Sequence, residues 1–221
     1  MEELIYRNNL NQDWISLAFF INLIILTVIF KINPSRLRNS ILFYSTDFHI
    51  KRYLNEKNFN LISVYNVLCF IIIISTLCLF INSFLEYNYK IKMFAFEYYY
   101  LFTLFLIVLS IRYIFFQFLI NQLNVNYNFR IGVLKSFINN FRFALFYLIF
   151  LLFVNYVEIL NRQYLIFNLC YLIVWTLYQF RILILLFQSN PQQILYLIIY
   201  LCTFKTIPWY WLYVIILESW L

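Results

Sequence analysis

The chain has 221 residues, 65% hydrophobic and 24% aromatic but only 11% charged, with a formal net charge of +7. A soluble domain carries about 25% charged residues, so a water-facing surface built from this chain would be starved of charge. The apolar content instead fills about six or seven membrane-crossing stretches of about 20 residues each, which excludes a soluble globule, a disordered tail and a ten-helix transporter.

The first apolar run covers residues 14–30 and starts after Asn11-Gln12-Asp13, a favourable helix cap. Little positive charge precedes it and no small-residue cleavage site follows, so it is expected to be a retained span rather than a signal peptide. Residues 34–57 form the most polar stretch. There Leu37, Ile41, Tyr44 and Phe48 recur at helical spacing among Arg36, Arg38, Lys51 and Arg52. This pattern predicts an amphipathic helix in the headgroup layer, with its apolar side on acyl chains and its bases on anionic lipid. The second and third spans are expected at 61–84 and 94–120. A polar connection follows from Asn121 to Phe141, carrying Ile131, Leu134 and Ile138 on one helical face. The fourth span is placed at 142–160, a hairpin at Asn161-Arg162-Gln163, and the fifth span at 164–187. A sixth, at 193–217, sits in a tail too long to cross straight, and Pro208 is the natural place for it to bend. The expectation is one all-α membrane domain, a polytopic bundle of about six transmembrane helices with a cytoplasmic interfacial helix.

Orientation follows from the basic residues. With the N-terminus outside, Lys31, Arg36, Arg38, Lys51, Arg52, Lys57, Arg130, Lys135 and Arg142 fall in cytoplasmic segments, whereas Arg7, Lys90, Lys92 and Arg162 fall outside. The positive-inside rule therefore places both termini outside. Trp14, Trp209, Trp211 and Trp220 then gather towards the outer interface, where indole rings are favoured. The net positive charge answers to anionic headgroups; no solvated basic domain suits nucleic acid.

Composition also limits the chemistry. A single glycine, Gly132, leaves no dinucleotide fingerprint, P-loop or nucleophile elbow. One histidine, His49, and four cysteines in apolar runs without a CxxC spacing predict no metal site and no cofactor. Carboxylates sit near the predicted span ends, where they make no proton pathway. The abundance of Phe, Tyr, Ile and Asn is the bias of an AT-rich genome, so aromatic content alone carries little meaning. No GxxxG-type motif is present, and bulky helices without one are expected to pack poorly among themselves.

Three cations lie inside predicted spans. Arg112 and Arg181 stand about two turns from the cytoplasmic ends of the third and fifth, within reach of the headgroups. Their expected role is anchoring, with a grip on lipid or a partner as the alternative. Arg142, at the cytoplasmic start of the fourth span, is grouped with them. Lys205 lies near mid-bilayer, where a charge costs roughly 2.5–3.5 kcal/mol on insertion scales and must find an acceptor. Pro208 leaves the carbonyl of Phe204 without its helical donor, beside Lys205. A structural lysine is the plain reading; a functional site and a subunit contact are the others.

The segment Tyr200-Leu201-Cys202-Thr203-Phe204-Lys205-Thr206-Ile207-Pro208 resembles the C-terminal signature of a Bacteroidota integral-membrane family, domain of unknown function 4271. Asp13-Trp14 at the first span, and Tyr178 with Arg181 in the fifth, are similar to further family features. The family's charged position is usually glutamate; with Lys205 there, no acid–base role transfers to this chain. The resemblance implies a bacterial inner membrane and no established activity.

Two functional classes remain in contention. The first is a non-catalytic accessory or structural subunit of an inner-membrane complex in protein export, secretion or envelope biogenesis, with other membrane subunits as partners. The second is a membrane enzyme or carrier for lipid-linked phosphates, gripping them with Arg112, Arg142, Arg181 and Lys205 and using Asp47 or His49 as base. A small transporter suffers from the absence of a repeat and of a broken helix pair. An organelle-encoded respiratory subunit would share the compositional bias.

Overall fold

The structure, a computed structural model, describes residues 13–41, 63–89, 95–122, 127–156 and 161–189. These residues are helical almost throughout. The elements are α1 (Asp13–Ile32), α2 (Pro34–Ile41), α3 (Val64–Tyr89), α4 (Ala95–Gln122), α5 (Tyr127–Tyr156) and α6 (Asn161–Ser189). Three contain stretches long and apolar enough to cross a membrane: Trp14–Ile32, Val64–Leu85 and Leu134–Phe153. α4 and α6 stand where the third and fifth spans are expected. The expected span at 193–217 and residues 42–57 of the interfacial segment lie outside the described residues.

α1 and α2 meet at a sharp corner with a clear chemical cause. The residue before a proline is disfavoured in helical geometry, and proline suits the first position of a new helix. Asn33 closes one helix and opens the next: its N–H donates to the Ile29 carbonyl at 3.1 Å, and its own carbonyl accepts from Leu37 N–H at 3.1 Å. Its side-chain oxygen accepts from Arg36 N–H at 3.0 Å and from the Ser35 hydroxyl at 2.9 Å, an N-cap in full. α3 starts in the same way, with Asn66 N–H donating to Ser63 Oγ at 3.3 Å.

Two expectations change. The polar stretch from Asn121 to Phe141 is not a separate connection, because residues 127–141 run unbroken into the span as one helix of 30 residues. Leu134, Phe137 and Phe141 are buried on one face of it, so the apolar stripe is continuous, and the lone Gly132 does not interrupt it. A stretch of this helix long and apolar enough to cross a membrane runs from Leu134 to Phe153. Likewise Asn161-Arg162-Gln163 form the first turn of α6, not the hairpin itself.

α3 is the central helix, packed against α1, α4 and α5; α6 packs on α5, and α2 lies on α1 and α5. One core joins Phe19, Ile74, Leu79, Phe105, Tyr147 and Leu151, and a second, at the α1–α2 corner, joins Ile29, Leu37, Tyr65, Ile72, Phe137 and Phe141. Leu37 thus points into the bundle rather than towards acyl chains, whereas Ile41 is exposed. The outer faces are apolar: Phe20, Leu23 and Phe30 on α1, and Leu169, Val174, Leu177 and Phe180 on α6, are all exposed. Apolar faces of this extent are out of place in water and suited to hydrocarbon.

The core makes a first prediction. Leu79→Ala, at a site 2% exposed, leaves a cavity among three helices and is expected to cost about 2–5 kcal/mol, read as a shift in the unfolding curve of the protein in mixed micelles.

Candidate functional site

The described polar groups with buried side chains cluster where helices touch, and the first cluster is at the α1–α2 corner. A short helix leaves its last carbonyls without donors, and its C-terminus carries partial negative charge. α2 ends against α5, and there Arg142, only 3% exposed, meets it. Its Nε donates to the Ser40 carbonyl, Nη2 to the Asn39 carbonyl at 3.5 Å, and Nη1 to Asn139 Oδ1 at 3.4 Å. The guanidinium is therefore a cap supplied from 102 residues away in sequence. A planar fork of donors fits two neighbouring carbonyls in a way that the single ammonium of a lysine does not.

Arg36, half-buried on the other side of the corner, has its guanidinium carbon 4.1 Å from the centre of the Tyr65 ring and donates from Nη2 to Asn66 Oδ1 at 2.7 Å. It clamps α2 to the start of α3 with a cation–π contact and a charge-assisted hydrogen bond. Arg38 is exposed on α2. Of the expected cations, Arg36 and Arg142 are thus brought to one corner. Arg181 is exposed on α6 and Arg112 falls within α4, both apart from that corner in sequence and element. Lys51, Arg52, Lys205, Pro208, Asp47 and His49 lie outside the described residues.

Sequence reading missed the residues that join α5 to α6. Tyr164, Asn168, Tyr171, Trp175 and Gln179 recur every three or four residues along α6 and face α5 in antiparallel order. Tyr147 donates its hydroxyl to Asn168 Oδ1 at 2.9 Å and lies 3.3 Å from the Tyr164 hydroxyl. Tyr171 donates to the Phe143 carbonyl at 3.1 Å. Asn140 Oδ1 accepts from Trp175 Nε1 at 3.1 Å and from Gln179 Nε2 at 2.6 Å, while Ser136 donates to Gln179 Oε1 at 3.0 Å. Aromatic rings fill the intervals, with Phe150 stacked on Phe167 at 3.5 Å and Tyr147 tilted against Tyr171 at 4.7 Å between centroids. Bulky helices without small-residue motifs therefore do find a close fit here, through polar side chains and aromatic faces. The signal was present as polar residues repeating at helical spacing inside an apolar run.

A third group ties α1, α3 and α4. Asn22 Nδ2 donates to Ser75 Oγ at 2.7 Å, and Ser75 Oγ lies 3.0 Å from the Tyr98 hydroxyl. Hydrogen bonds of this kind act as glue between helices in a solvent that offers no competing partners.

Among the described residues no three His, Cys, Asp or Glu side chains gather as metal ligands would, and Cys69, Cys78 and Cys170 are free thiols. No family model, curated protein or solved structure matches the chain.

Arg142→Met is expected to cost roughly 3 kcal/mol, by removing charge-assisted bonds and leaving buried carbonyls without donors. Loosening of α2 should accompany the loss, read as faster thiol labelling of a cysteine placed at Ser40. Arg142→Lys should recover only part of this. Gln179→Leu is milder, at about 1 kcal/mol, and should weaken α5–α6 pairing without releasing α2.

Proposed function

We propose that this chain is a non-catalytic, multi-pass accessory or structural subunit of a larger bacterial inner-membrane complex, in protein export, secretion or envelope biogenesis. The observation that carries the reading is Arg142. This buried cation is engaged with backbone carbonyls at the end of α2 and thereby fixes one helix against another. Of the four cations that an enzyme or carrier for lipid-linked phosphates would turn to substrate, Arg142 is instead directed at the fold. The hydrogen-bonded seams of α5–α6 and of α1–α3–α4 support the same reading, since each uses polar chemistry to set the shape of the bundle. The outer faces of α1 and α6 offer broad apolar surface to lipid or to neighbouring subunits.

The proposal extends to six spans in all, both termini periplasmic, and membership of the domain of unknown function 4271 family. Positive-inside charge supports that orientation, and the Tyr200–Pro208 segment supports that family. Arg38, Lys51 and Arg52 then meet anionic lipid headgroups, together with the accessible edge of Arg36. Arg112, Arg181, Lys205 and Pro208 serve as anchors or subunit contacts.

Purification in mild detergent followed by mass measurement tests the function. The expected result is a particle heavier than one or two 27.3 kDa chains, with other membrane proteins in fixed ratio. A lone chain with no companion, folded and retaining α2 docking, overturns the subunit reading. Orientation is tested separately by impermeant maleimide on intact cells whose other cysteines are replaced: Arg7→Cys should label and Lys57→Cys should not.

A further inference from the structure

The group that joins α1, α3 and α4 has one donor and one acceptor too many. Asn22, Ser75 and Tyr98 are 2%, 6% and 5% exposed. Asn22 and Ser75 each lie close to the middle of a membrane-length stretch, Trp14–Ile32 and Val64–Leu85. The Asn22 amide uses both of its hydrogens, donating to the Ala18 carbonyl at 2.9 Å and to Ser75 Oγ at 2.7 Å. The acceptor at Ala18 is a carbonyl, which fixes the amide's orientation. Asn22 Oδ1 is then left buried without a donor.

The hydroxyls show the complementary surplus. Ser75 and Tyr98 together bring two O–H hydrogens, and one of them lies between the two oxygens. Whichever residue donates across that contact, the other keeps a hydrogen that meets no acceptor among the described residues. An unmatched acceptor and an unmatched hydroxyl hydrogen thus belong to one buried set of three side chains. The Asn22 amide approaches Ser75 through its nitrogen, and its oxygen meets neither hydroxyl. A molecule that accepts one hydrogen bond and donates another closes the set, and two to four polar partners are what buried water requires.

We propose that Asn22, Ser75 and Tyr98 form a binding site for a single ordered water molecule at the middle of the bilayer, donating to Asn22 Oδ1 and accepting the spare hydroxyl hydrogen. α1 carries one further unmatched polar atom on the side of Asn22. Trp14, Ala18 and Asn22 follow one another at four-residue spacing on one face of the helix. Trp14 Nε1 is a second buried polar atom without a partner. The Tyr98 ring, 4.9 Å from that of Trp14, bridges the interval from Trp14 to the hydroxyl at the site. The inference depends on the packing of α1, α3 and α4, not on the subunit reading, so either can fail without the other.

Water-edited solid-state NMR tests the site in the full chain, labelled with nitrogen-15 at Asn and Leu and reconstituted in phosphatidylcholine–phosphatidylglycerol vesicles. Asn22→Leu assigns the side-chain amide signal by its disappearance. Polarisation from water is expected to reach the Asn22 amide several-fold faster than the backbone amide of Leu151, a residue 1% exposed in the same bundle. Tyr98→Phe leaves the Ser75 hydroxyl and should retain the transfer. The double variant Ser75→Ala with Tyr98→Phe removes both hydroxyls and should lower it to the Leu151 rate. Equal rates at Asn22 and Leu151 in the unmodified chain overturn the proposal. So does fast transfer that persists in a folded double variant. If the double variant fails to fold, the comparison within the unmodified chain decides alone.

Discussion

Hydrocarbon offers no hydrogen bonds, so every polar group carried into it must be matched by the protein or by water that the protein holds. That constraint organises this molecule more than apolar attraction does, because lipid tails are as apolar as the helices and give them little reason to associate. Many of the polar residues inside apolar runs sit on the faces where helices meet, while Thr27, Thr103 and Thr176 are exposed and donate to carbonyls of their own helices. Asn168, Tyr171, Trp175 and Gln179 turn towards α5, while Leu169, Val174 and Leu177, their neighbours in sequence, are exposed. α6 is amphipathic in the sense proper to a membrane, with its polar stripe inside.

The same logic gives Arg142 its place. A guanidinium in a membrane-length segment is costly unless its donors are used, and backbone carbonyls at the end of a helix are costly unless they are met. Bringing the two together answers both at once, and the partial negative charge of the helix end adds to the match. A carboxylate in place of those carbonyls would bind the arginine too, yet would leave α2 uncapped. The corner is completed from the opposite side, where Arg36 lies over Tyr65 and bonds to Asn66. An eight-residue helix that would be marginal in isolation is thus fixed at both ends, by Asn33 at its start and by Arg142 at its finish.

Hydrophobic runs and cap residues made the helices legible in the sequence. Asn11-Gln12-Asp13 marks the start of α1, Pro34 the corner, and the apolar stretches near 64–85 and 95–120 are where α3 and α4 stand. Boundaries between polar and apolar composition were less faithful. Residues 127–141 are polar enough to be read as a connection, yet their apolar members share a face with those of the following span, and the helix continues through. The least legible part was the partner of each polar side chain. Arg142 was recognisable as a cation at a membrane boundary, but a carbonyl 102 residues away leaves no mark in the sequence. Nor do single Asn and Ser residues in different spans announce that they meet, as Asn22 and Ser75 do. A compositional bias towards Asn and Tyr can be genomic in origin and still supply most hydrogen bonds of a helix seam.

The long reach of Arg142 has a consequence for biosynthesis. Ribosomes add roughly 5–20 residues per second, so the end of α2 leaves the ribosome about 5–20 s before the arginine that caps it. During that interval the corner must persist with its final carbonyls turned to water or headgroups. Arrival of α5 then seals the α1–α2 corner retroactively. The molecule's assembly is therefore ordered in time, with the α1–α2 corner finished by α5.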